Sequence, residues 1–144
     1  MRTSAPTTPE PAFAMRGIEV SPLVDADDTA SAWEAVHQRV APGGGSPLHT
    51  LGVDKLFVVL EGELVFTIDG AEHAGTTGAT ATVAAGVPHC FRNRSDAPAV
   101  VLAVTSGGGH VDFLEGMARL GADGPPPADA LRSHAAAHHV ELLA

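Results

Sequence analysis

The stretch PLHTLGVDKLFVVLEGEL, Pro47 to Leu64, decides how the chain is read. Its right half places an apolar run, Leu56 to Leu60, before Glu61-Gly62, and a second, Leu64 to Ile68, after it. Two such runs around a glycine turn predict a β-hairpin. A second turn follows at Ile68-Asp69-Gly70-Ala71, where Asp-Gly supplies the positive φ that tight hairpin turns need. The left half is spaced like a metal site yet holds one suitable ligand, His49. Leu51 stands two residues on, and Lys55 four further.

Outward from this stretch the same pattern repeats. GIEVSPLV (17–24), SAWEAVHQRV (31–40), TATVA (80–84), HCFRNR (89–94) and AVVLAVT (99–105) read as strands. PGGGSP (42–47), AAGVPH (84–89) and SDAP (95–98) are turn-rich. Short strands at close spacing predict an all-β sandwich or barrel and argue against a βαβ fold. After SGGGH the period changes. Phe113, Leu114, Met117 and Leu120 fall at helical spacing within 111–120, GADGPPP breaks that helix, and 128–142 reads as a second helix. The expected organisation is a loose arm over 1–16, a barrel over 17–106 and a helical extension over 107–144. The alternative for the arm is docking across a partner subunit, with Phe13 as its anchor.

Composition narrows the function classes. The chain has 144 residues, enough for one domain with one core, and 44% hydrophobic against 17% charged residues is a globular balance. Gly (16) and Pro (11) suit an all-β domain with many turns. A net charge of −9 repels a phosphate backbone, which argues against nucleic-acid binding. The one cysteine, Cys90, forms no internal disulfide. Met1 to Phe13 lacks a signal-peptide core, and no apolar run nears the ~18 residues that span a bilayer. The expectation is a cytoplasmic protein without membrane partners. The Ala, Gly and Pro content points to a bacterial source.

Two segments resemble the cupin family. Its first motif is G-x5-H-x-H-x3-4-E-x6-G. Here His49 stands at the first histidine, Leu51 at the second, Lys55 at the glutamate, and Gly62 closes the spacing. The second motif, G-x5-P-x-G-x2-H-x3-N, is matched by Gly78, Gly86, His89 and Asn93, with Ala84 at the proline position. PGGGSPLH, FVVLEGEL, GVPHCFRN and the tail are similar to small single-domain, quercetin-dioxygenase-like cupins. The resemblance runs from Gly17 to the end. It implies a double-stranded β-helix (jelly roll) with a short C-terminal helical extension, a homodimer, and a small-molecule ligand.

Metal-binding cupins hold Fe, Mn, Ni, Cu or Zn with three histidines and a glutamate. Carried over residue by residue, only His49 and His89 remain as metal ligands if a metal is bound. Leu51 cannot coordinate, and Lys55 brings positive charge where a carboxylate would offset the metal. Such a set is a poor divalent site, so the expectation is a barrel with no tightly bound metal and no other cofactor. Residues two apart on a strand share a face, so positions 49 and 51 can both face inward.

The bland reading has His49 and His89 as inherited barrel residues, hydrogen-bonded to each other, to Lys55 or to water. The functional reading is a pocket for an anionic or phenolic ligand, walled by Leu51, Phe57, Val59 and Phe91, with Lys55, His49 and His89 as catalytic residues. Lys55 in an apolar cavity has a lowered pKa and acts as a base or forms a Schiff base. Alternatively it snorkels into water. The expected function is small-molecule binding with non-redox cyclase or isomerase chemistry. The alternatives are a quercetinase-like dioxygenase, completed by Glu63, Asp54 or water, and an accessory barrel without activity. Cys90 faces away from His89 in a small buried apolar role, Phe66 is core or cavity wall, and Trp33 is packing. His134, His138 and His139 read as a polar helix face, and His110 as a helix start without chemistry. The glycines at 43–45 and 107–109 lack the context of nucleotide loops.

Overall fold

The structure, a computed structural model, describes residues 1–143. Eleven strands and three helices follow in chain order: β1 Phe13–Met15, β2 Ile18–Val24, α1 Ala26–Thr29, β3 Trp33–Val40, β4 His49–Leu51, β5 Lys55–Glu61, β6 Glu63–Ile68, β7 Ala71–Thr76, β8 Thr80–Val83, β9 His89–Arg92, β10 Ala99–Ser106, α2 His110–Leu120, α3 Ala128–Ala137 and β11 Val140–Leu142. A six-stranded sheet, β1-β2-β3-β10-β5-β8, faces a five-stranded sheet, β11-β4-β9-β6-β7. All pairings are antiparallel. This is the expected all-β jelly roll with C-terminal helices.

The expected hairpin at Glu61-Gly62 does not form. β5 pairs with β10 and β8, whereas β6 pairs with β7 and β9. Gly62 carries the chain from one sheet to the other. Its φ is +77°, and a Cβ there would approach the Pro98 carbonyl oxygen to 2.8 Å, so only glycine fits the corner. The true hairpin is β6–β7, across Asp69-Gly70 as the turn chemistry predicts.

Two further expectations are corrected, and one element is added. Residues 13–15 of the supposed arm pair with β2, Phe13 opposite Val20, because a short edge strand satisfies its backbone there. Arg2 also folds back, its guanidinium 2.6 Å from the Asp28 carboxylate. The second helix stops at Ala137, and 140–142 form a strand with Val140 opposite Leu51, since β4 offers a free edge. Lastly, α1 lies unforeseen before β3, held by a capping box between Asp25 and Asp28.

The core lies between the sheets. Phe57, Phe66 and Phe91 meet there with ring centroids 5.1, 5.7 and 6.3 Å apart. Strand alternation points Glu34, Val36, Gln38 and Val40 of β3 inward together, and all four are buried.

Asn93, fully buried, locks the loop between β9 and β10. Its Nδ2 donates to the Val40 and Ala97 carbonyls at 3.0 and 2.8 Å, and its Oδ1 accepts from the Ser95 backbone N–H at 2.9 Å. Asn93→Leu orphans these groups, and each buried unsatisfied group costs about 1–3 kcal/mol. Urea unfolding is expected to show a loss of about 2–4 kcal/mol. An unchanged midpoint would mean that the loop repacks freely.

Candidate functional site

Register brings the site together. His49 on β4 sits opposite His89 on β9. Lys55 opens β5, opposite Thr105 on β10, which lies opposite Glu34 on β3. α2 then covers the barrel mouth with Phe113, Leu114 and Met117. Beneath it lies a cavity of about 40 Å³, lined among others by Gln38, His49, Lys55, Phe91 and His110.

The two motif histidines use their Nδ1 atoms alike. His49 Nδ1 donates to the Pro47 carbonyl at 2.7 Å, and His89 Nδ1 to the Val87 carbonyl at 2.9 Å. A carbonyl only accepts, so each neutral ring carries its proton on Nδ1 and keeps a lone pair on Nε2. These backbone carbonyls replace the partners expected from sequence. The rings lie 4.3 Å apart between centroids. Among the described residues, His89 Nε2 is buried and without a partner, as is Gln38 Oε1.

Lys55 takes the inward pose of the two left open. It is 6% exposed, with Nζ 4.6 Å from the Phe57 ring centroid and 3.5 Å from His110 Nε2. It is also the chain's only lysine. Burial lowers its pKa from 10.5 to about 7, with no carboxylate opposing the shift. Burial, followed by the charge of Lys55, lowers His49 to about 3. Burial lowers His89 to about 4, and Lys55 adds to the effect. His110 is held well below 6.5 by the same two causes. At neutral pH the site holds neutral imidazoles around one amine whose proton burial makes far easier to lose than in water.

His110 is the residue that sequence reasoning passed over. Glu34 fixes it: the buried carboxylate Oε1 accepts from the backbone N–H of His110 at 2.7 Å and of Val111 at 3.4 Å. It caps α2, whose preceding residue, Gly109, has no side chain to do so. The alternation of Glu34 with Val36 and Val40 carried that signal.

Other expected residues lie elsewhere. Phe91 lines the cavity, but Phe57 and Val59 are buried in the core, and Leu51 lines a separate cavity of about 60 Å³ with Val53, His110 and His138. Glu63 and Asp54 are exposed, and Asp54 accepts from the Ala85 N–H. His134 is no mere polar face. Its Nε2 donates to the Phe113 carbonyl at 2.9 Å and its ring stacks on Phe113, fastening α3 to α2. Cys90 is half-buried.

A divalent metal of the kind that cupins hold does not fit this donor set. Among the described residues no three His, Cys, Asp or Glu side chains gather around a possible ion. Lys55 stands where the motif's carboxylate would offset the metal's charge, so no negative charge is supplied there.

The Cupin domain model matches residues 36–105. A solved sugar phosphate isomerase of the cupin superfamily from Silicibacter pomeroyi is 30% identical, over 68% of each chain, with a TM-score of 0.57. The chain belongs to the cupin family. A second cupin, the Cupin_2 domain of an XRE family transcriptional regulator from Enterobacter cloacae, is 28% identical over 62% of this chain and 96% of its own, with a TM-score of 0.55. The polyketide cyclase RemF from Streptomyces resistomycificus shares the cupin fold at 20% identity, over 74% of this chain and 79% of its own, with a TM-score of 0.63. No curated protein matches the chain.

Proposed function

We propose that this cupin binds a small hydroxy-carbonyl compound and moves a proton on it without a tightly held metal, as a non-redox isomerase or cyclase. The observation that carries the reading is Lys55, a buried amine with no carboxylate partner among the described residues, 3.5 Å from a neutral imidazole at the edge of a small cavity. A base whose pKa lies near the working pH is suited to abstracting a proton beside a carbonyl. Lys55 Nζ takes that proton, and His110 Nε2 accepts it onward. Gln38 Oε1, buried without a partner, is an acceptor for a ligand hydroxyl.

Size limits the ligand. A cavity of about 40 Å³ holds only the reacting end of a molecule. The rest extends past Met15, Arg16 and Met117, which also line an outer groove of about 520 Å³. The kinship with a sugar phosphate isomerase supports this substrate class.

The test is deuterium exchange followed by NMR. Hydroxyaldehydes and hydroxyketones, with and without phosphate, are incubated in D₂O with chelator-treated protein. Exchange at the carbon beside the carbonyl is expected, with a loss of at least about 100-fold in Lys55→Met, the scale of a general base. No exchange with any compound, or undiminished exchange in the variant, would sink the reading. Oxygen consumption with a flavonol after metal loading would favour dioxygenase chemistry instead.

A further inference from the structure

Among the residues lining the cavity, Arg16 is the one cation besides Lys55, apart from the neutral imidazoles. Arg16, in the turn between β1 and β2, lines both this cavity and the outer groove. Its Nε donates to the Gly45 carbonyl at 3.2 Å, which anchors the guanidinium at the edge of both spaces. Among the described residues Arg16 makes no ion pair, whereas Arg2, Arg94, Arg119 and Arg132 each face a carboxylate. An unpaired arginine at the mouth of a chain with net charge −9 is a place for an anion. Ile18 and Met117 supply apolar wall to the cavity between it and Lys55.

We infer that the ligand is a small carbonyl acid, its carboxylate paired with Arg16 and its aldehyde or keto carbon bonded to Lys55 Nζ as a Schiff base. This rests on the proposed reading of Lys55 as an uncharged, reactive amine; once Nζ is part of the imine, the proton beside the former carbonyl passes to His110 Nε2. The amine lone pair forms the C–N bond while the C=O π pair moves onto oxygen. His110 Nε2 carries the two Nζ protons in turn to that oxygen, which departs as water. The C=N bond remains, His110 returns to its starting state, and no oxidant or reductant is consumed.

The lysine count makes the test clean, because Lys55 and the chain's terminal amine are the only primary amines. Folded protein is treated at pH 7 with glyoxylate or acetaldehyde and cyanoborohydride, and peptides are mapped by mass spectrometry. Reduced adduct is expected on the Lys55 peptide, at least roughly tenfold faster than in urea-unfolded protein, where the amine is almost wholly protonated. Arg16→Gln is expected to slow glyoxylate labelling roughly tenfold, as loss of a charge-assisted pair does, and to leave acetaldehyde labelling unchanged. Equal slowing of both aldehydes would overturn the role of Arg16. Deuterium exchange without any Lys55 adduct would overturn the Schiff base and leave the general base standing. Absence of both would remove the two together.

Discussion

Lys55→Met stabilises the barrel at pH 7 on the order of 4 kcal/mol, and the gain disappears near pH 10.5. The folded lysine loses its proton at about 7, the unfolded one at 10.5. Between these values the unfolded chain binds more protons, so wild-type stability rises with pH through that window. Below pH 7 the full cost of burying an ammonium is felt, and above 10.5 none. Methionine has nearly the same length and no charge, so it removes the cost while filling the space beside Phe57. The chain suits this measurement: it has no tyrosine and no second lysine to titrate in the same range. Guanidinium unfolding at pH 7 and 10 is expected to show a large gap between variant and wild type at the first pH, and a small one at the second. At pH 7 the Tm rises by roughly 10 °C. A variant no more stable than wild type at pH 7 would place the amine in water, and the covalent chemistry would fall with it.

Spacing carried the fold. Glycines and histidines at matched intervals placed β4, β5 and β9 around one interior, and His49 does face His89. Pattern alone failed at Glu61-Gly62, because two apolar runs around a glycine look the same whether the strands pair or part into different sheets. The sheet change follows from partners far along the chain, β10 beyond all others. The end of the chain failed for a related reason. Val140-Glu141-Leu142 continues a sequence of good helix formers, and only the free edge of β4 makes it a strand.

The site was half legible. His49, Lys55 and His89 stand at motif positions, so topology alone brings them together. The inward pose of Lys55 was not readable, since a rotamer depends on what closes the cavity, and α2 closes it from outside the barrel. His110 was hidden by the same fact. It reaches the site because a buried glutamate 76 residues away caps its helix. Of the expected pocket wall, Phe91 lines the cavity and Phe57 lies in the core with its ring 4.6 Å from Lys55 Nζ, while Val59 is buried deeper and Leu51 lines a separate cavity toward α2 and β11.

Acid should unfold this protein well before it harms an ordinary jelly roll, with most of the loss falling between pH 6.5 and 4. His49 titrates at about 3 and His89 at about 4 in the folded state, against 6.5 when unfolded. In that interval the unfolded chain binds more protons, so stability falls as pH drops. Each ring contributes on the order of 3 kcal/mol by pH 4, together comparable to the whole stability of a typical domain. His110 acts in the same direction, and the charged Lys55 makes every added proton harder to accept. The discriminating variant carries His49→Asn and His89→Asn. An asparagine Nδ2 can take the place of Nδ1 and keep the donation to the Pro47 and Val87 carbonyls, while nothing at that position titrates. Thermal melts at pH 7, 5.5 and 4 are expected to show a steep decline in wild type and a shallow one in the double variant. If both decline equally, the acid limb belongs to surface carboxylates and the imidazoles are not neutral by burial. If the variant flattens the limb, the two motif histidines are uncharged at neutral pH and add no positive charge to the cavity that Lys55 and His110 share.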